Sequence, residues 1–142
     1  MKIKKKQLDE MIAVAQKARR SAYATWTRYR VGASVLASSG RIYPGCNIES
    51  PTMILHICAE RAAIFNAISH GETRILAACT ISEGSYPCGV CRQAIREFGG
   101  PSTPVFSLMR GKDPAKWRVV KTSIDKLMPG AHTGATIERY TS

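Results

Sequence analysis

Residues Leu55–Ile64 read LHICAERAAI. A cysteine, Cys58, is followed two residues later by Glu60, and apolar residues then recur at helical spacing. Ile64, Phe65 and Ile68 form the expected apolar stripe of a helix that starts near Cys58. Gly71 marks its end. A carboxylate at the mouth of a helix with so apolar a face needs an explanation.

Outward from this helix, the other elements follow in turn. Leu8, Met11, Ile12, Ala15 and Ala22 give a helix over residues 8–23, with Lys17, Arg19 and Arg20 toward its C-terminal end. VGASVLASSGRIYPGCNI (31–48) reads as two strands about a Ser39-Gly40 turn. RILAACTIS (74–82) is a near-continuous apolar run and suits a buried strand. Pro87 opens a further helix that stops at Gly99-Gly100. TPVFSLM (103–109) and WRVVKTS (117–123) are two more strands, and a short helix around Ile124–Met128 ends at Pro129-Gly130. The order αββαβαββ with a helical tail predicts an α/β fold with one sheet covered by helices. No repeat or linker divides it, so residues 1–142 are expected to form a single domain.

No apolar run approaches the ~20 residues of a membrane-spanning helix. The N-terminus is basic but lacks the apolar core of a signal peptide, so the cytoplasm is the expected location. Its KIKKK segment reads as a solubilising tail. Five cysteines, an odd count without a secretion signal, argue against a disulfide framework. The net charge of +11 attracts anions. The basic residues are dispersed, however, and form neither a sustained stripe nor an RNA-binding motif. A solvated basic surface is favoured over nucleic-acid binding.

PCGVC (87–91) supplies Cys88 and Cys91 at a helix start, where residues three apart share a face. Alone, this C-x-x-C fits half a structural zinc site or a redox pair. Cys58 lies at a second helix N-terminus. Two such termini meeting focus partial positive charge on three thiols and favour their thiolates. Three protein ligands leave tetrahedral zinc one open position, as in catalytic sites. Cys46, Cys79, His56, His70 and His132 lack the spacing of a fourth ligand and read as packing or surface residues. Zinc lowers the pKa of bound water to about 7, and Glu60 is placed to take that proton. The competing reading is a glutamate that stabilises the helix dipole.

The assembled pattern, C-A-E…P-C-x-x-C, is a three-cysteine form of the zinc deaminase signature. At this point the sequence resembles the small, homotetrameric, three-cysteine cytidine deaminases. AYATWTRYRVGASVL (22–36) is similar to the family's A-Y-x-P-Y-S-x-F-P-V-G-A-A-L, and GCNIES (45–50) to G-C-N-V-E-N. ICAERAAI (57–64) and PCGVCRQAIREFG (87–99) match almost throughout, and KLMPGAH (126–132) resembles E-L-L-P-x-x-F. The resemblance implies a cytidine deaminase-like, three-layer αβα sandwich around a mixed five-stranded sheet. It implies one Zn²⁺ per subunit held by Cys58, Cys88 and Cys91, with Glu60 as the proton shuttle. It places Asn47 and Glu49 on the ribose hydroxyls and Tyr29 against the pyrimidine. The backbone of Ala59 and the carbonyl of Tyr86, before Pro87, fall at the base and its amino group. Arg61 falls near the thiolates, and Arg92 is a second cation able to offset their charge. The expected activity is hydrolytic deamination of cytidine, deoxycytidine or a modified cytosine nucleoside, in pyrimidine salvage, by a homotetramer with sites near its subunit interfaces.

Some positions depart from the pattern. After Glu49 the family reads N-A-S-Y-G, and this chain reads SPTMI (50–54), with Met53 in place of a tyrosine that reaches a neighbouring subunit's site. His132 stands where an aromatic residue covers the base of an adjacent site, and Arg30 replaces a proline beside Tyr29. These changes predict altered tolerance at the nucleoside 5′ side or around the base, with Arg30 and His132 favouring an anionic or bulkier group. The competing functions are a deaminase of single-stranded RNA or DNA, of a nucleotide or of a nucleoside antibiotic, and a non-catalytic zinc-stabilised binding module.

Overall fold

The computed structural model describes residues 2–113 and 115–134. The elements follow the order α1 (Lys5–Arg20), β1 (Gly32–Ala37), β2 (Ile42–Cys46), α2 (Ala59–Ser69), β3 (Ile75–Ser82), α3 (Gly89–Gly99), β4 (Pro104–Arg110), β5 (Trp117–Ser123) and α4 (Ile124–Leu127). The strands form one mixed sheet in the order β2-β1-β3-β4-β5. Only β3 and β4 pair in parallel, joined by the α3 crossover, and the other neighbours are antiparallel.

Helices cover both faces. On one side, Met11 and Ala15 of α1 meet Leu36, Ala77, Cys79, Ile81, Phe106 and Leu108. On the other, Ala59, Ala63, Ile64 and Ala67 of α2, Ile95 of α3 and Ile124 of α4 meet Ala33, Val35, Ala78 and Val105. β1 and β3, central and sandwiched, are buried along almost their whole length, so their sequences lack the alternation of a half-exposed strand. This is the three-layer arrangement expected. Among the described residues, no helix is long and apolar enough to cross a membrane.

Several boundaries differ from expectation. α1 begins at Lys5, so part of the basic KIKKK segment is helix rather than tail. The Gln7 side chain accepts a hydrogen bond from the Lys4 N–H (3.1 Å), satisfying a donor at the helix start. α1 also stops at Arg20, and Tyr23 instead forms an isolated bridge with Ile48. Pro87 lies before α3 rather than in it, and Cys88 is the N-cap. In α2, Phe65 is exposed, and the face turned to the sheet is Ala59, Glu60, Ala63, Ile64 and Ala67. The reason is close approach: a Cβ on Gly45 of β2 would collide with the backbones of Ala59 and Ala63. A helix lying that near a strand presents alanines to it. Gly71, at φ 86°, follows the C-cap of α2 in the left-handed conformation that glycine adopts without steric cost.

Candidate active site

The site is built where the N-termini of α2 and α3 meet. Cys58 and Cys88 are the two N-caps, both in extended backbone conformation, and Cys91 lies in the first turn of α3. The carbonyls of both caps accept the first helical hydrogen bonds, from Ala62 N (3.0 Å) and Arg92 N (2.9 Å). This leaves both thiols free to point into the space between the helices. The Sγ atoms lie 3.7 Å apart for Cys58–Cys88 and 3.5 Å for Cys88–Cys91. All three fall within 4.8 Å of one another. Tetrahedral zinc with Zn–S bonds near 2.3 Å separates its sulfurs by about 3.8 Å. The donor set therefore fits one Zn²⁺ in both softness and spacing. Among the described residues this is the one group of three or more potential ligands close enough to hold a metal.

Charge at the cluster is unevenly shared. The Cys58 thiol is drawn down to about 5, first by its hydrogen bond with Cys91, then by that with Arg61. Cys91 is pushed up by the same hydrogen bond with Cys58, and further by burial and the neighbouring Glu60 carboxylate. Arg61 Nη2 lies 3.9 Å from Cys58 Sγ and donates to the His56 carbonyl at 3.3 Å. Cys79, by contrast, lies on the other face of the sheet under α1, where burial pushes its thiol up to about 12. It is an inert core residue.

Glu60 is 5% exposed. Thr80 Oγ1 of β3 donates to its Oε1 at 3.1 Å, and Cys91 Sγ lies 3.5 Å from its Oε2. Burial raises its pKa, with smaller opposing contributions from its hydrogen bonds. A buried carboxyl group beside a metal site, with its affinity for protons raised, suits general acid–base work.

Above these residues opens a cavity of about 340 Å³, lined by Cys58, Ala59, Glu60 and Cys88 together with Asn47 and Glu49. Pockets for small molecules occupy about 300–1,000 Å³. Tyr29 and Tyr86 line its walls. Asn47 Oδ1 accepts from Val31 N (2.9 Å) while its Nδ2 donates to the Tyr29 carbonyl (2.7 Å). Glu49 accepts from Trp26 N (2.8 Å), Thr27 N (3.1 Å) and the Thr27 hydroxyl. The Thr27 hydroxyl, followed by burial-opposed backbone bonds, holds the Glu49 carboxyl below its usual range. Both side chains thus fix the loop that carries Tyr29 and also face the cavity.

Residues 5–107 match the family described as the cytidine and deoxycytidylate deaminase zinc-binding region. The chain belongs to that family. A cytidine deaminase of Sporosarcina psychrophila is 41% identical over 127 residues, 87% of this chain and 90% of that one. The crystal structure of cytidine deaminase from Burkholderia pseudomallei superposes with a TM-score of 0.77 at 34% identity, covering 87% and 98% of the two chains. That from Mycobacterium tuberculosis gives 0.72 at 30% identity, covering 89% and 97%.

Within this deaminase framework, several residues singled out in the sequence lie off the cavity. Arg92 donates from Nε to the Pro87 carbonyl (2.7 Å) and from Nη1 to the Leu127 carbonyl (2.8 Å). These bonds tie the start of α3 to α4. Pro87 is buried behind Cys88 as the acceptor of that bond. His132 is exposed and accepts from Gln93 Nε2 through its carbonyl (3.1 Å), outside this chain's own cavity. Arg30 donates from Nη1 to the Arg20 carbonyl at the end of α1 (3.0 Å) and does not line the cavity. Met53, at φ 55°, lines a neighbouring hollow of about 310 Å³ with Trp26, Pro51 and His56. Four further lining residues, Thr27, Val31, His56 and Ser85, escaped the sequence reading. His56 carried a signal, two residues before Cys58. Thr27 and Ser85 carried none, because their places follow from loop folding.

Proposed function

We propose that this chain catalyses hydrolytic deamination of cytidine or deoxycytidine, giving the uridine counterpart and ammonia. The observation that carries this reading is the Glu60 carboxyl group, buried 3.5 Å from Cys91 Sγ and lining a nucleoside-sized cavity with Cys58 and Cys88. Zinc bound by Cys58, Cys88 and Cys91 supplies Lewis acidity, lowering the pKa of a water to about 7. Glu60 takes a proton from the attacking water and delivers it to N3 of the ring. It then carries the second water proton to the leaving amino group, and ammonia departs. Thr80 holds the carboxylate through one oxygen and leaves the other toward the cluster. Arg61 balances the charge of three thiolates and Zn²⁺, which sum to minus one.

Asn47 and Glu49 receive the sugar hydroxyls, Glu49 as an ionised acceptor. Tyr29 and Tyr86 flank the base, and the backbone of Ala59 and the Tyr86 carbonyl read its polar edge. The enzyme acts in the cytoplasm, in pyrimidine salvage, as a homotetramer in which His132 covers a neighbouring site. Exposed Met53, Ile54 and Leu55, beside the cavity, support such an assembly.

An ammonia-release assay over cytidine, deoxycytidine, cytidine monophosphate, a base-modified cytidine and a cytosine-containing oligonucleotide tests this reading. Turnover of the plain nucleosides is expected to exceed that of the nucleotide and oligonucleotide. Oligonucleotide turnover alone would contradict it.

A further inference from the structure

The cavity has two loop walls. One, residues 24–31, carries Thr27, Tyr29 and Val31, and the other, residues 83–88, carries Ser85, Tyr86 and Cys88. The walls touch across the mouth through Tyr29 Oη and Ser85 Oγ, 2.9 Å apart. Behind them, out of the cavity, one side chain reaches both. Arg19, in the last turn of α1, donates from Nε to the Arg30 carbonyl of the first wall (2.9 Å). From Nη2 it pairs with Glu83 Oε1 at the base of the second (2.6 Å). Glu83 Oε2 accepts from Arg110 Nε at the end of β4 (2.9 Å). The two guanidinium groups both sit against the Trp117 ring of β5, each 5.5 Å from its centroid, a geometry in which ring and cations attract. Glu83 lies within the turn that Ser85 N closes by donating to Ser82 Oγ (3.1 Å), two residues from Ser85.

We propose that Arg19 and Glu83 are positioning residues for substrate binding, the pair holding the two cavity walls at the spacing at which Tyr29 and Ser85 meet. Arg110 and Trp117 anchor that clamp to the sheet. Neither Arg19 nor Glu83 lines the cavity, so neither touches substrate, and both act through Tyr29, Ser85 and Tyr86. Arginine suits the role because its planar fork serves two acceptors in different directions, where lysine offers a single point charge. The ion pairs are partly exposed and contribute little to global stability. Their effect is local, on wall spacing, and falls on binding before it falls on chemistry.

This inference rests on the deaminase reading, and the test separates the two. Steady-state kinetics on cytidine are measured for zinc-loaded wild type, Glu83→Gln and Arg110→Gln, with zinc content and melting temperature for each. Glu83→Gln keeps the shape of the side chain and removes the charge. It is expected to raise KM about three- to tenfold with kcat within about twofold of wild type. Arg110→Gln, which removes one of Glu83's two cations, is expected to shift KM in the same direction by less, and it decides the matter if Glu83→Gln does not fold. Combined with Tyr29→Phe, Glu83→Gln is expected to act non-additively, since both work through one contact between the walls. An unchanged KM in a folded, zinc-loaded variant would overturn the proposal, as would KM and kcat failing together with loss of zinc. Absence of turnover in wild type would instead overturn the deaminase reading.

Discussion

Glu60 shows how one side chain's surroundings decide its chemistry. Its carboxyl group is raised in pKa by burial, and its two oxygens are divided between Thr80 and the cysteine cluster. Thr80→Val keeps the size of the residue and removes the donor. Turnover is expected to fall about tenfold while zinc content stays at wild-type level; kinetics with metal analysis check this. Glu49 and Glu72 illustrate the opposite shift. Thr27 holds Glu49 low, and Ser39 and Tyr43 hold Glu72 low. A carboxylate whose folded-state pKa is depressed contributes stability that is present above its unfolded value, about 4.3 for glutamate, and lost as pH falls through the folded value. Melting temperature is therefore expected to drop on acidification below about pH 4.3, and Glu72→Gln is expected to flatten that drop. At this scale the sequence disclosed the thiols and Glu60 because their spacing is chemical. The partners of Arg92 were not legible, because a cation beside a ligand looks the same in sequence whether it faces sulfur or the carbonyls of Pro87 and Leu127.

The elements that carry the site are two helices brought together at their N-termini and one strand beneath them. With Cys58 on α2 and Cys88 and Cys91 on α3, the metal ties two helices that otherwise share only part of the core on one sheet face. Removing zinc with a chelator is expected to lower the melting temperature by roughly 10 °C or more, restored on adding zinc back. The placement of α2 depends on Gly45. Gly45→Ala is expected to cost about 1–3 kcal/mol through forced separation of α2 and β2. Gly84→Ala, where an added Cβ meets nothing within 4 Å, is expected to stay within about 0.5 kcal/mol; denaturant unfolding measures both. Element order was legible because periodicity and turn residues mark it. Which face α2 turns inward was not, because Phe65 looked like core until Gly45 brought the strand close enough to demand alanines. Nor was the start of α1, since Lys5 and Lys6 resemble a tail until Gln7 caps the first turn.

For the whole molecule, a single sheet covered by helices followed from the order of elements, and the three-layer αβα sandwich from the family resemblance carried by five collinear motifs. What one chain's sequence does not carry is how copies meet. Met53, Ile54 and Leu55 are 72%, 88% and 71% exposed in succession, an apolar run that a monomer rarely leaves in water. Sedimentation velocity is expected to show a tetramer for wild type and smaller species for Ile54→Glu. Among the described residues, no lysine or arginine lines the cavity, so turnover of an uncharged nucleoside needs no help from the net charge of +11.

In the proposed reaction, a zinc site of three thiols and the Glu60 carboxyl group together deaminate a cytosine nucleoside. Ammonia release from cytidine, measured side by side with bound zinc for wild type and Glu60→Gln, tests it most directly. About one zinc per chain is expected in both proteins, with a loss of turnover of about two to four orders of magnitude in the variant. Near-normal ammonia release by zinc-loaded Glu60→Gln would contradict it.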